Sequence, residues 1–285
     1  MPRPNSSAEE QYAEQLTLCR MATGMVDRTA NQVLRATIDT EVERGPDYRI
    51  TVGSGITGEA RMQISRWPVV QIVSAQVATA GTQTAGGPYL SWTAVPADMI
   101  RPEHPAMSLN GTAAPSAAGA GPAALLIAPG YIDWSNGRNG YYFSVTYING
   151  WPHTSLTAAC VAGATTLSVD DVTGWTGVRG TIYDGAYTED VTVSATTPAS
   201  TVGGPGTVTI GATAYPHVSG AMFSSMPEDI QLATIYFATS MALTRGATAT
   251  VVPTQRGAAQ TSGGRTSREW WDLARETLMA YGRVI

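Results

Sequence analysis

The stretch Ser225-Met226-Pro227-Glu228-Asp229-Ile230-Gln231-Leu232-Ala233 reads as the start of a helix, and the rest of the chain is read outward from it. Proline is tolerated in a first turn because its missing N–H would have no partner there. Glu228 and Asp229 complement the positive end of the helix dipole. Behind this start, Ile230, Thr234, Phe237, Met241 and Thr244 form a helical stripe widened by Leu232, Ile235 and Tyr236, and Gly246 fits a C-terminal cap. Two further helices lie at the ends of the chain. The first follows a capping box, Ser7 to Glu10, and carries Tyr12, Leu16, Cys19, Thr23, Val26, Ala30 and Val33 as its expected buried stripe, with Arg20, Asp27, Arg28 and Arg35 mostly off it. The last follows a second capping box, Thr266 to Glu269, and runs from Ser267 to Gly282 with Trp271, Ala274, Leu278 and Tyr281 inward.

Between the helices the pattern turns β. Met62 to Pro68 leads into the β-branched run Val69–Val77, and Tyr141–Ile148 is a second strand. The Ala/Gly/Pro-rich stretch Thr79–Pro129 reads as a surface excursion, and Gly246–Arg265 as a mobile loop. Short strands around 165–169, 180–183, 189–195, 207–210 and 221–223, each bounded by turn residues, predict a small barrel or sandwich over 154–224. The expected fold class is therefore α+β: a helical core of three main helices with a small β-sheet, plus an inserted small all-β barrel-like module. Residues 1–153 would hold the first part of the core, 154–224 the inserted module, and 225–285 the second part, two C-terminal helices around the 246–265 loop.

Composition excludes several kinds of chemistry. Of 285 residues 14% are charged, against about 25% in a typical domain. All 17 basic residues are arginine, so Schiff-base lysines, a P-loop lysine and Ser-Lys dyads are out. A net charge of −5 argues against electrostatic wrapping of nucleic acid. Cys19 and Cys160 form no disulfide framework, and the acidic Glu9-Glu10 start argues against a signal peptide. The apolar run Ala113–Pro129 is broken by Pro115, Gly119, Gly121 and Pro122 and is too interrupted to span a bilayer, so a soluble protein with no membrane partner is expected.

Searching for a reactive site yields little. Gly53-Ser54-Gly55-Ile56-Thr57-Gly58 matches a dinucleotide fingerprint, but a strand follows where a helix is required, and no acid stands near position 78; it reads as a turn. His104, His153 and His217 have no paired metal-ligand spacing. Asp170, Asp171, Asp184, Glu189 and Asp190 read either as acidic turns in water or as oxygen ligands converging on Ca²⁺. No nucleophile elbow is present, and neither cysteine has a catalytic setting. No enzyme activity, cofactor or metal is expected. Trp270 and Trp271 point about 100° apart on a helix, so Trp270 faces either the core or a partner.

The order of elements resembles the head-to-tail connector (adaptor) proteins of long-tailed bacteriophages. The motifs are the Pro-Val strand Trp67-Pro68-Val69-Val70-Gln71-Ile72, the aromatic corner Val145-Thr146-Tyr147-Ile148-Asn149-Gly150-Trp151-Pro152, the helix start at Met226–Ala233, and a last helix near the C-terminus. They cover roughly residues 7–78, 140–153 and 225–285. Residues 163–170, 188–193 and 217–221 in turn resemble a small β module that recurs in virion proteins; compact adaptors lack such an insert. The resemblance implies a structural virion protein: a homo-oligomeric ring, commonly a dodecamer, between portal and stopper or tail-completion protein. DNA would pass through its channel without sequence-specific binding, and assembly would take place in the host cytoplasm. The expected interface residues are Arg265, Arg268, Trp270, Arg275, Tyr281, Arg283 and Ile285, arginine forks supplying oriented contacts to acidic partners. The alternative is a carbohydrate- or host-surface-binding module over 154–224, with Trp175, Tyr183 and Tyr187 as stacking platforms.

Overall fold

The computed structural model describes residues 7–44, 50–52, 60–80, 90–96, 99–102, 124–127, 141–185, 187–244 and 266–281. In chain order, helix α1 (Ala8–Ala30) precedes strands β1 (Thr37–Arg44), β2 (Ile50–Val52), β3 (Ala60–Gln63), β4 (Val69–Ala80), β5 (Leu90–Val95), β6 (Ile100–Pro102) and β7 (Ala124–Ile127). Then follow β8 (Tyr141–Asn149), β9 (His153–Ser155), β10 (Thr166–Val169), β11 (Arg179–Tyr183), β12 (Thr188–Thr197), β13 (Gly206–Ile210) and β14 (Met222–Ser224). Helices α2 (Glu228–Thr244) and α3 (Ser267–Leu278) close the order, α3 tightening into a 3-10 turn at Met279–Tyr281.

The expected helical core with a small β-sheet is overturned: the protein is mostly β. The described strands form antiparallel sheets in the orders β1-β8-β4-β5, β2-β3-β7-β6 and β10-β13-β12-β11-β14-β9. Part of the reason lies in the 79–129 stretch, expected to be an extended surface excursion. It contributes β5 to the first sheet, paired with β4 from Ala75↔Val95 to Ala80↔Leu90, and β6 and β7 to the second. Strands β6 and β7 have only three and four residues, too few for alternation to mark them in the sequence. The loop expected at 246–265 and the Gly53–Gly58 turn lie outside the described residues, as does His104.

Contacts divide the chain into two compact units, one holding the helices and the other running from Arg35 to Ser225. In the helical unit both predicted capping boxes form. Ser7 N–H donates to Glu10 Oε2 at 2.8 Å while Glu10 N–H donates back to Ser7 Oγ at 3.3 Å. Asn31, with φ 54°, caps the other end of α1 in the left-handed conformation that a short amide side chain tolerates. The buried face of α1 is Leu18, Ala22, Val26 and Ala30, continued by Leu34. The sequence stripe had the right period and the wrong phase over the first half, because Tyr12, Leu16, Cys19 and Thr23 are exposed. On α2 the buried set is Ile230, Ala233, Phe237 and Ser240.

In the β unit, β8 lies between β1 and β4 with Phe143, Val145 and Tyr147 fully buried. The strands expected within 154–224 are formed, and their core (Leu167, Val169, Trp175, Ile182, Val193, Val208, Phe223) is continuous with Val70 and Ile148. Trp175 and Phe223 stack at 3.8 Å and 8°.

Candidate interaction surface

The residues expected at an interface fall into four groups. Arg265, Arg283 and Ile285 lie outside the described residues. Arg268 and Arg275 are exposed on α3; the Arg268 side chain is 90% accessible and meets Asp272 only at 3.8 Å. Arg275 lines a groove of about 390 Å³ with Thr29, Asp272, Glu276, Leu278 and Met279. Trp270 is half-buried against Tyr236 at 5.1 Å, and Trp271 lies edge-on to Phe237 at 4.8 Å. Tyr281 is a core residue: it is buried, its hydroxyl donates to Asp229 Oδ2 at 2.6 Å, and its carbonyl accepts from Gln32 Nε2 at 2.9 Å. Burial and the Asp229 carboxylate push the Tyr281 hydroxyl well above its ordinary value, so it remains a donor. Ser240 Oγ donates to Ser267 O at 2.7 Å, tying the start of α3 to the second half of α2.

The helical unit also exposes apolar surface that was expected to be buried. On α1, Tyr12 is 67% and Leu16 38% accessible, and none of the described side chains from Ala8 to Thr17 is buried. On α2, Leu232 is 41% and Ile235 58% accessible. No charged residue occurs in α2 after Asp229, so the body of this helix lacks the charged side chains that a solvent-facing helix usually carries.

The acids of the β unit are bound by its own donors. His217 is buried with Nδ1 2.9 Å from Asp184 Oδ2 and Nε2 2.7 Å from Glu189 Oε1. Glu189 also accepts from Ala214 N–H at 2.7 Å, and Asp184 from Tyr187 N–H at 2.6 Å. The hairpin tip between β11 and β12 is thereby clamped to the segment before β14, and Tyr187 stacks on Tyr215 at 4.9 Å with both rings partly exposed. Asp190 pairs with Arg179 at 2.6 Å, and Asp170 accepts from Ser155 Oγ. Asp171 accepts from Thr173, Gly204 and Arg35. Burial raises the Asp171 carboxyl, but these donors together hold it below the usual carboxylate range. Of the proposed stacking platforms, Trp175 is fully buried and cannot meet a ligand.

One cluster went unnoticed in the sequence. Beneath β1, Glu41 accepts from Tyr147 Oη at 2.5 Å and from Ser65 Oγ at 2.5 Å, while Asp39 accepts from Asn149 Nδ2 at 2.6 Å and Arg66 Nη1 at 2.8 Å. These bonds tie the segment before β4 to the first sheet. Burial and the adjacent Glu41 carboxylate keep Tyr147 neutral far above the ordinary tyrosine range. The available signal was the alternation of Thr37, Asp39 and Glu41 with Ile38 and Val42. Comparison with family models, curated proteins and solved structures finds no match to this chain.

Proposed function

We propose that the protein is a structural virion component, a head-to-tail adaptor that assembles as a homo-oligomeric ring between portal and stopper or tail. The observation that carries the reading is the exposed apolar surface of the helical unit, Tyr12 and Leu16 on α1 with Leu232 and Ile235 on α2. Large apolar side chains left exposed on helices mark candidate contact sites. The order of sequence motifs supports the adaptor assignment. The mechanism is assembly: helices dock, and the acidic, lysine-free chain offers few cationic partners to DNA phosphates in a channel. Negative-stain micrographs of the purified protein, alone and mixed with portal, test it. Rings or portal-bound collars are expected; a strictly monomeric protein without portal affinity refutes the reading.

A second reading rests on the stacked, part-exposed Tyr187 and Tyr215, whose outer faces would suit a pyranose ring. A glycan array probed with the full chain tests this, and uniform silence removes it.

A further inference from the structure

His217 is the point at which the β11–β12 hairpin tip and the segment before β14 meet. Its side chain is 0% accessible, against 3% for Asp184 and 10% for Glu189. Nδ1 lies 2.9 Å from Asp184 Oδ2 and Nε2 lies 2.7 Å from Glu189 Oε1, so the two acids bond opposite edges of the ring and do not converge on one cation. Among the described residues no group of three His, Cys, Asp or Glu side chains is placed to hold a metal ion. What joins each nitrogen to its oxygen is a proton.

A neutral imidazole carries one N–H and donates to one acid only. The second contact needs a further proton, on the ring or on a carboxyl group. Wherever it sits, the three side chains together hold one proton more than a neutral ring and two ionised acids would. That proton belongs to the cluster rather than to one residue. Removing it leaves a ring lone pair facing an oxygen lone pair in a site closed to solvent, where the lost hydrogen bond is not replaced by one to water.

The same two acids hold the chain beneath the tyrosine pair. Asp184 Oδ1 accepts from Tyr187 N–H at 2.6 Å, and Glu189 Oε2 accepts from the N–H of Ala214, the residue before Tyr215, at 2.7 Å. Gly185, next to Asp184, has φ 83° and open space where a Cβ would stand, so the tip has a position able to turn. The other ionisable groups of these elements are Tyr183, Tyr187, Tyr215, the Arg179–Asp190 pair, and Cys160, whose N–H and carbonyl pair with the His217 carbonyl and N–H.

We propose that Asp184, His217 and Glu189 form a proton-held latch: the shared proton closes the hairpin tip onto residues 213–217, and raising the pH removes it and frees the tip with Tyr187. The latch does not depend on what the tyrosine pair binds.

Amide exchange of the full chain from mildly acidic to mildly alkaline pH tests it. With intrinsic exchange rates divided out, protection at Tyr187 and Ala214 should fall about tenfold per pH unit above the release point, the slope of one proton, while the buried strand β13 stays protected. Asp184→Asn keeps an oxygen for Tyr187 N–H and turns an N–H toward His217 Nδ1. Both contacts then form around a neutral ring without the extra proton, so protection should persist at alkaline pH. Glu189→Gln makes the same exchange at Nε2 and should behave alike. Constant protection in the parent overturns the proposal, as do amide variants that lose protection at every pH or keep the parent's profile. So does a fall abolished by Cys160→Ser, or by Tyr187→Phe with Tyr215→Phe, which would trace it to the thiol or the phenols.

Discussion

A methyl group added at Gly180 tests the interior of the β unit. The Cβ would lie 2.6 and 2.7 Å from Cζ3 and Cη2 of Trp175 and 2.8 Å from Cε2 of Phe223. Carbon atoms in good contact sit about 3.5–4.0 Å apart, so each approach is short by close to 1 Å. Neither ring has room to retreat: both side chains are fully buried and stacked on one another at 3.8 Å. Overpacking of this kind costs about 1–3 kcal/mol. In a strand with open space the same Gly→Ala change gains about 0.5–1 kcal/mol by restricting the unfolded backbone, so the sign of the effect decides the matter. Urea unfolding of the full chain, with amide exchange followed in β11, should show Gly180→Ala destabilised by about 1–3 kcal/mol. Trp175→Phe removes the two indole atoms that meet the new methyl group, so Gly180→Ala with Trp175→Phe should lose less than the sum of the single changes. A Gly180→Ala protein as stable as its parent, or strict additivity in the double variant, refutes this account of the core.

Two further predictions concern the polar groups. His217→Ala leaves the buried Asp184 and Glu189 side chains facing a void; each loses a hydrogen-bond partner, at a cost of about 1–3 kcal/mol for a buried group left unsatisfied, so proteolysis within 184–188 should accelerate and the melting temperature fall. Unchanged cleavage and melting would mean that the clamp does not hold the hairpin tip. At Asp39, burial raises the carboxyl pKa, but the hydrogen bonds from Asn149 and Thr37 and the Arg66 guanidinium outweigh it and hold it below its ordinary value. The stability it contributes is complete above the unfolded carboxylate value of about 3.9 and is lost as pH falls through the lower folded one. Melting curves between neutral pH and strong acid should show a shallower acid limb for Asp39→Asn; an identical limb would remove Asp39 from the acid response.

The elements differed in how well they could be read. Helix ends were legible because capping is a local contract: Ser7 with Glu10 and Thr266 with Glu269 need only neighbours three residues away. The strands of 154–224 were legible because glycine and aspartate turns bracket short alternating runs such as Glu189–Ala195, where Val191 and Val193 are buried. Strand β1 was not legible, because it inverts the rule: Ile38 and Val42 face outward at 39% and 55% accessibility while Asp39 and Glu41 serve a polar network. Donors for that network come from residues 65, 66, 147 and 149, far along the chain. Tyr281 illustrates the same limit. Its pattern is that of an inner-face residue, but its hydroxyl partner Asp229 is supplied by another helix.

The sequence by itself determined what depends on near neighbours and composition: the helix caps, the short strands of the middle segment, and the exclusion of lysine chemistry. Tertiary structure alone decided the balance between sheet and helix, the phase of the α1 stripe, and which acids are bound by His217 or Arg66. The physical reason is that a strand is stabilised by partners distant in sequence and a buried carboxylate by distant donors, whereas a helix closes its hydrogen bonds within itself. Even a helix reveals only its period locally. Which of its faces is buried depends on what packs against it, and on α1 the Tyr12 and Leu16 edge remains open in the single chain.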